Sequence, residues 1–429
     1  MFKKFLNIKI NNLTLIKFLF YSFPFFMLMV SGYITAYVTI LTISALIFFY
    51  SNNIKIKFDL IDYLVLSFFL LSLISTLINI KILGYFIFLK SILDLRFVLF
   101  FFIIKYLVKF KYVDAKILFL TTLICTSFLS IDIIYQHLTG HDFFGNKPFD
   151  GRFNGIFEHE AIAGSYIQKF FLISMSWIIL SNINNKFIFI TFFINILGVG
   201  ILLSLDRMPF LIYLFTLFLL VVLLKKYRLV FFGSLLIILL IFISLFKNYE
   251  QIKNRYASLN NEIRFSKIFI FLKKNNDETT KININNKKIF SGDYTKIYKS
   301  AYLLWLEKPV IGYGVKSFGI NCGKLLIENK SLTCSTHPHN IYLEIIVNQG
   351  LFGFLIFLCI IIILVNNFIK KLSFQKSDNK RIPNIIFLTI LIVELWPLRS
   401  YGSIFQTVNG TLFWFLISFA SHKLSINKN

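Results

Sequence analysis

The sequence predicts an all-α polytopic membrane protein of about twelve transmembrane helices. Three observations carry that expectation. Of 429 residues, 57% are hydrophobic and only 15% are charged, too little polar surface for a soluble domain of this length. Apolar runs of crossing length recur along the chain, each needing roughly 20 residues. Lysines and arginines gather in alternate short loops between those runs, the positive-inside pattern. The net charge of +25 would point to nucleic acid in a soluble chain. Here it sits between apolar spans, where orientation and contact with acidic lipid account for it and no nucleic-acid partner is expected.

Met1 to Lys17 is basic and Leu19 to Val30 leads to no small-residue cleavage site, so this start reads as an uncleaved first helix. The spans are expected at about 13–31, 33–50, 59–79, 86–108, 115–135, 160–182, 186–205, 208–224, 229–247, 341–366, 384–398 and 410–422. With a cytoplasmic N-terminus, the even-numbered helices end inside. The short loops there hold Lys55 and Lys57; Lys109, Lys111 and Lys116; Lys225, Lys226 and Arg228; then Lys370, Lys371, Lys376, Lys380 and Arg381. The organisation that follows is helices one to five in 1–135, an outer loop in 136–159 and helices six to nine in 160–247. A long outer loop fills 248–340, and 341–429 holds helices ten to twelve and a cytoplasmic tail. No internal repeat or soluble domain interrupts it.

The long segment is itself basic, with 15 Lys or Arg against 7 Asp or Glu. Long translocated segments escape the positive-inside rule. Solvation beside acidic headgroups explains the excess, and so does an anionic substrate such as a diphosphate. Cys125 and Cys359 fall inside predicted helices and read as inert. Cys322 and Cys334 lie in the long outer loop, where a disulfide between them is expected if the compartment is oxidising. A zinc site with His337 and His339 is the competing reading, but the spacing fits no common zinc pattern.

Inside the predicted spans, Lys90, Asp94 and Arg96 are costly in lipid, and Asp94 is expected to pair with Arg96 or Lys90. The loop closes with Cys334-Ser335-Thr336-His337-Pro338-His339-Asn340. Pro338 suits a first helical turn, which places His339 at a helix N-terminus. Gly350 then falls on nearly the same helical face, and Gly353 extends a smooth patch for close helix approach. The helix dipole disfavours imidazolium there and keeps His339 able to accept a proton. An interfacial histidine with ordinary packing glycines is the plainer alternative.

His339-Asn340, nine residues, Gly350, two residues, Gly353 resembles the signature of the O-antigen ligase family, bacterial enzymes that move a lipid-diphosphate-linked glycan onto lipid A-core. Gly151-Arg152-Phe153-Asn154-Gly155-Ile156-Phe157, with Glu160 and Gly164-Ser165-Tyr166, is similar to a stretch in one branch of that family. So are Asp206-Arg207 and Pro309-Val310-Ile311-Gly312-Tyr313-Gly314. The likeness covers roughly residues 135–365.

The resemblance implies a metal-independent, cofactor-free, inverting glycosyltransfer of the membrane-embedded GT-C kind. His339 would be catalytic and Arg207 would hold the donor diphosphate, the donor being a polyprenyl-diphosphate-linked glycan. Arg152 would join Arg207, or form a structural salt bridge with Glu160 or Asp150. Where the family carries a further Arg or His, this sequence reads Asp293-Tyr294-Thr295-Lys296, with Lys299 beyond, so these lysines are the available cations. Lysine neutralises a diphosphate as a point charge, without the bidentate fork of arginine. Two further functions compete: an O-antigen polymerase joining lipid-linked glycans, and a flippase or transporter for a lipid-linked sugar. Transporters tend to show repeated halves.

Overall fold

The computed structural model describes residues 9–257, 293–328, 332–375 and 378–421. Residues 258–292 of the long basic segment, the basic start 1–8 and the inner-loop Lys376 lie outside the described residues. Among the described residues the chain is helical and without named β-strands, the one bridge pairing Phe149 with Arg152. Its helices are α1 (Lys9–Tyr21), α2 (Ser31–Ser51), α3 (Leu60–Ile78), α4 (Tyr85–Leu93), α5 (Arg96–Lys109), α6 (Ala115–Thr139), α7 (Ala163–Leu180) and α8 (Lys186–Leu203). After them come α9 (Arg207–Leu223), α10 (Arg228–Asn248), α11 (Glu250–Ala257), α12 (Asp293–Glu307), α13 (Phe318–Glu328), α14 (Ile341–Phe374), α15 (Asp378–Glu394) and α16 (Thr407–Ser421).

Among the described residues, seven helical stretches are long and apolar enough to cross a membrane: α2, α3, α6, α7, α8, Lys225–Asn248 and α14. The other stretches expected to span hold shorter or interrupted helices. A separate turn, Phe23–Phe26, follows α1, with Pro24 as its second residue. The expected span 86–108 is two helices, α4 and α5, parted at Asp94 and Leu95. Expected pairing at that break is corrected too: the ion partner of Asp94 is Lys316, at 3.9 Å. Arg96 instead donates to Thr407 Oγ1 at 2.9 Å, and Lys90 lies over the Phe86 ring.

Local chemistry fixes the helix ends. Asp59 caps α3 and shares a reciprocal capping box with Asp62, satisfying donors that the first turn leaves open. Asp114 caps α6, and Gly140 in the left-handed region closes it. Between helices in lipid the attraction is close packing rather than hydrophobic burial. Phenylalanine supplies much of it: Phe23 stacks on Phe415 at 4.0 Å, and buried Trp414 lies 4.9 Å from Phe69.

Contacts sort the loops into two groups. At one end, Arg152 reaches Asp206, Asn79 donates to the Gly312 carbonyl, and the Tyr401 amide donates to the His339 carbonyl. At the other, Tyr106 donates to the Lys57 carbonyl, and Lys105 binds Asp59. We call these the histidine end and the lysine end.

Candidate functional site

His339 lies just before α14, whose N-cap is Asn340. The Asn340 side chain accepts from the Tyr342 and Leu343 amides and donates to the Pro397 carbonyl at 2.7 Å. The helix expected to start at Pro338 therefore starts at Ile341, because Asn340 is the cap, and His339 lies just outside its first turn. His339 itself has φ +55°, a left-handed conformation that costs an L-residue about 1–2 kcal/mol. Its carbonyl is held by the Tyr401 amide at 2.9 Å. Its Nε2 lies 3.0 Å from Ser335 Oγ, and its ring meets the Tyr294 ring edge-on at 5.5 Å. The His337 ring is 4.2 Å away. Burial lowers the pKa of His339, and burial with His339 lowers His337 to about 4. Desolvation therefore keeps this pair neutral.

The helix does not run straight from His339 to Gly350. Gly350 has φ +62° and ψ −160° inside α14, so the expected shared face is replaced by a kink. The reason is the Pro309–Gly314 turn, which docks onto it. Leu351 N donates to Pro309 O at 2.8 Å, Tyr313 N to Val347 O at 2.9 Å and Gly314 N to Asn348 O at 2.8 Å. A Cβ at Gly350 would overlap the Val310 carbonyl, and one at Gly312 would lie 2.6 Å from the Gln349 amide. Ser75 of α3 donates to both Ile311 O and Asn348 O at 2.8 Å. Gly353 leaves room for the folded Gln349 side chain. Both motif glycines thus shape the helix rather than touch the histidine.

Helix α12 leans on the same place. Its Tyr294 faces His339, while Ile297, Ala301 and Leu304 are buried against Phe318, Cys322 and Val347. Lys296 is half-buried and Lys299 exposed, so Tyr294, not a lysine, is the ring neighbour of His339. Cys322 and Cys334 are disulfide-bonded, with Cα atoms 5.7 Å apart, tying α13 to the approach to His337.

A buried cationic cluster lies behind the Tyr401 loop. Arg399, 5% exposed, binds Glu394 at 2.8 Å and Gln168 of α7 at 2.8 Å. Lys169, 8% exposed, donates to Asn409 Oδ1 at 2.9 Å. Both cations lie over the Tyr401 ring, at 4.7 Å for Lys169 and 5.2 Å for Arg399. The Tyr401 hydroxyl donates to Glu394 at 3.0 Å. Two cavities adjoin. One of about 60 Å³ includes Met208, Pro209, Arg399 and Tyr401 in its lining; one of about 440 Å³ includes Glu160, Met27 and Leu412. Ser165, Lys169 and Asn409 line both. Lysine inside an apolar span was the available sequence signal for Lys169; Arg399 and Tyr401 had none.

Arg207 opens α9 beside Asp206, and Asp206 is a hub. It accepts from the Gly164 amide at 3.1 Å and pairs with Arg152 at 3.5 Å. The expected structural partners of Arg152, Glu160 and Asp150, are thus replaced by Asp206; Glu160 is exposed at the larger cavity. Arg255 of α11, absent from the sequence expectations, joins them. Its pKa is lowered by burial and then by the nearby Arg152 and Arg207.

Fold and site together define a multi-helix membrane protein with a neutral histidine and buried cations gathered at one end. The O-antigen ligase family model matches residues 190–358. That stretch contains Arg207, the Pro309–Gly314 turn, His339, Gly350 and Gly353, so the family resemblance read from the motifs is borne out. No curated protein matches the chain.

Proposed function

We propose that the chain is a ligase-type glycosyltransferase of the bacterial inner membrane. It transfers a glycan from a polyprenyl-diphosphate carrier, such as undecaprenyl diphosphate, to lipid A-core. In this reading the chain crosses the membrane twelve times in a GT-C-like arrangement, the interrupted helices included. Both termini are cytoplasmic, and the histidine end with segments 136–159 and 248–340 is periplasmic.

His339 takes the proton of the acceptor hydroxyl as its oxygen attacks the anomeric carbon. The bond from that carbon to the phosphate oxygen breaks, and the carrier diphosphate leaves with both electrons. Inversion follows from attack opposite the leaving group. Arg207, Arg152, Arg255, Lys169 and Arg399 neutralise the diphosphate, for which charge-assisted contacts are strong. Lys296 and Lys299 add point charges from the helix that carries Tyr294. No metal or cofactor takes part.

One observation carries the reading: His339, desolvated and neutral, is hydrogen-bonded through its carbonyl to Tyr401, whose ring lies under two buried cations. A base poised beside an anion-binding cluster is what transfer from a phosphate-activated donor needs.

The test is paired expression in a ligase-deleted host, reading capped lipopolysaccharide and membrane protein level together. A positioned base is worth roughly 10²–10⁴ in rate, so His339→Ala abolishes detectable capping at normal protein level. His337→Ala costs less. Normal capping by His339→Ala overturns the assignment. Longer glycan on the carrier, with no capping by the wild type, identifies a polymerase instead.

A further inference from the structure

At the lysine end, a cavity of about 890 Å³ opens between α3 and α5 on one side and α14, α15 and α16 on the other. It is remote in the fold from the His339 cluster and has no part in the proposed transfer. Leu60, Ile61, Ile363, Phe374 and Ala420 give it apolar walls. Leu60 and Phe374 are 62% and 85% exposed at its lip. Lys105, Lys109, Lys370 and Lys371 supply its cations, and Asp59 is the one carboxylate among the described lining residues.

Three of these cations are held in place. Lys105 Nζ lies 2.7 Å from both Asp59 and Asp62, with Asp62 further fixed by the Tyr106 hydroxyl at 2.7 Å. These two carboxylates account for Lys105. Lys109 is held over the Tyr106 ring and Lys371 over the Phe368 ring. The result is an apolar groove with a cationic rim set at the helix ends, where a headgroup would lie. A free phosphate uses the rim and leaves the apolar walls bare. An uncharged lipid covers the walls and leaves the lysines unused.

We propose that this cavity binds one anionic phospholipid of the adjoining leaflet. Its phosphate is seated among Lys109, Lys370 and Lys371, and one acyl chain lies along Leu60, Ile61 and Ile363. Juxtamembrane lysines contribute about 1 kcal/mol each toward an anionic surface, which converts to roughly 5-fold per lysine.

The experiment uses the purified full-length chain in nanodiscs of phosphatidylcholine doped with phosphatidylglycerol, counting retained lipids by native mass spectrometry. The wild type retains phosphatidylglycerol preferentially. Lys370→Gln with Lys371→Gln lowers that preference at least 10-fold. Ile363→Trp, which fills the groove and keeps every charge, lowers it as well. Neutralising Lys225, Lys226 and Arg228 at the same end, outside the cavity, leaves it intact. Equal loss in that last variant means that net charge alone gathers the lipid, and overturns the site. Retention by Ile363→Trp overturns it too, as does displacement by millimolar inorganic phosphate.

Discussion

At the scale of single residues, the site rests on how burial tunes charge. His337 and His339 are both held below the ordinary histidine pKa, His337 at about 4. Their unfolded values lie near 6.5. A group whose protonation folding disfavours contributes stability that is complete above the unfolded pKa and is lost as pH falls below it. Stability from this pair is therefore complete above about pH 6.5 and declines toward pH 4. The transfer rate should be level through neutrality, with its acid limb below pH 6.5, measured on purified protein across pH 4–8. An acid limb centred above pH 7 contradicts a neutral base. Lys169→Met keeps the bulk and removes the charge, so donor KM should rise roughly 10-fold or more, for about 1.5–3 kcal/mol of lost charge-assisted contact. Arg207→Lys should be impaired almost as much as Arg207→Ala if the fork matters. An unchanged KM in Lys169→Met removes that residue from the donor site. His339 and Arg207 were legible because a motif or a loop position singled them out. Lys169 carried a signal as a lysine inside an apolar span, but Arg399 and Tyr401 carried none, and what joins the three lies in partners such as Asn409 and Gln168, 240 and 231 residues away.

At the scale of elements, the kink in α14 joins two motifs that the sequence shows as separate. Gly350 occupies a backbone region that is essentially reserved for glycine, at a cost of about 1–3 kcal/mol for other residues. Gly350→Ala should consequently lower thermal stability and loosen the 309–314 turn, seen as faster hydrogen exchange at Tyr313 and Gly314. Unchanged exchange there would mean that the turn does not depend on the kink. Removing the Cys322–Cys334 crosslink, which closes a loop of 12 residues, should cost roughly 3 kcal/mol. Hydropathy made most helices readable, since an apolar run of crossing length has few alternatives. It could not reveal breaks at Asp94 or Gly350, because both are set by groups packed against them rather than by local composition. Helix α12 was read only as part of a loop, since its apolar face of Ile297, Ala301 and Leu304 is short and its neighbours are distant in sequence.

For the whole molecule, the two ends carry different chemistry: a neutral histidine with buried cations at one, a lysine-rimmed apolar cavity at the other. Loops expected on the same side meet one another, as Arg152 with Asp206 and Tyr401 with His339. Single cysteines placed at Phe144 and at Leu229 should differ in labelling by an impermeant thiol reagent, Phe144 alone reacting in intact cells. Reaction only after lysis at Phe144 would invert the orientation and separate the histidine from a periplasmic acceptor. Transfer itself is tested most directly by reconstituting the purified chain in liposomes with a defined polyprenyl-diphosphate-linked glycan and lipid A-core, then following both lipids by mass spectrometry. The expected result is glycan-capped lipid A-core formed in step with free polyprenyl diphosphate, in the presence of a chelator and abolished by His339→Ala. Glycan lengthening on the carrier, or glycan moved across the bilayer with its diphosphate bond intact, would contradict it.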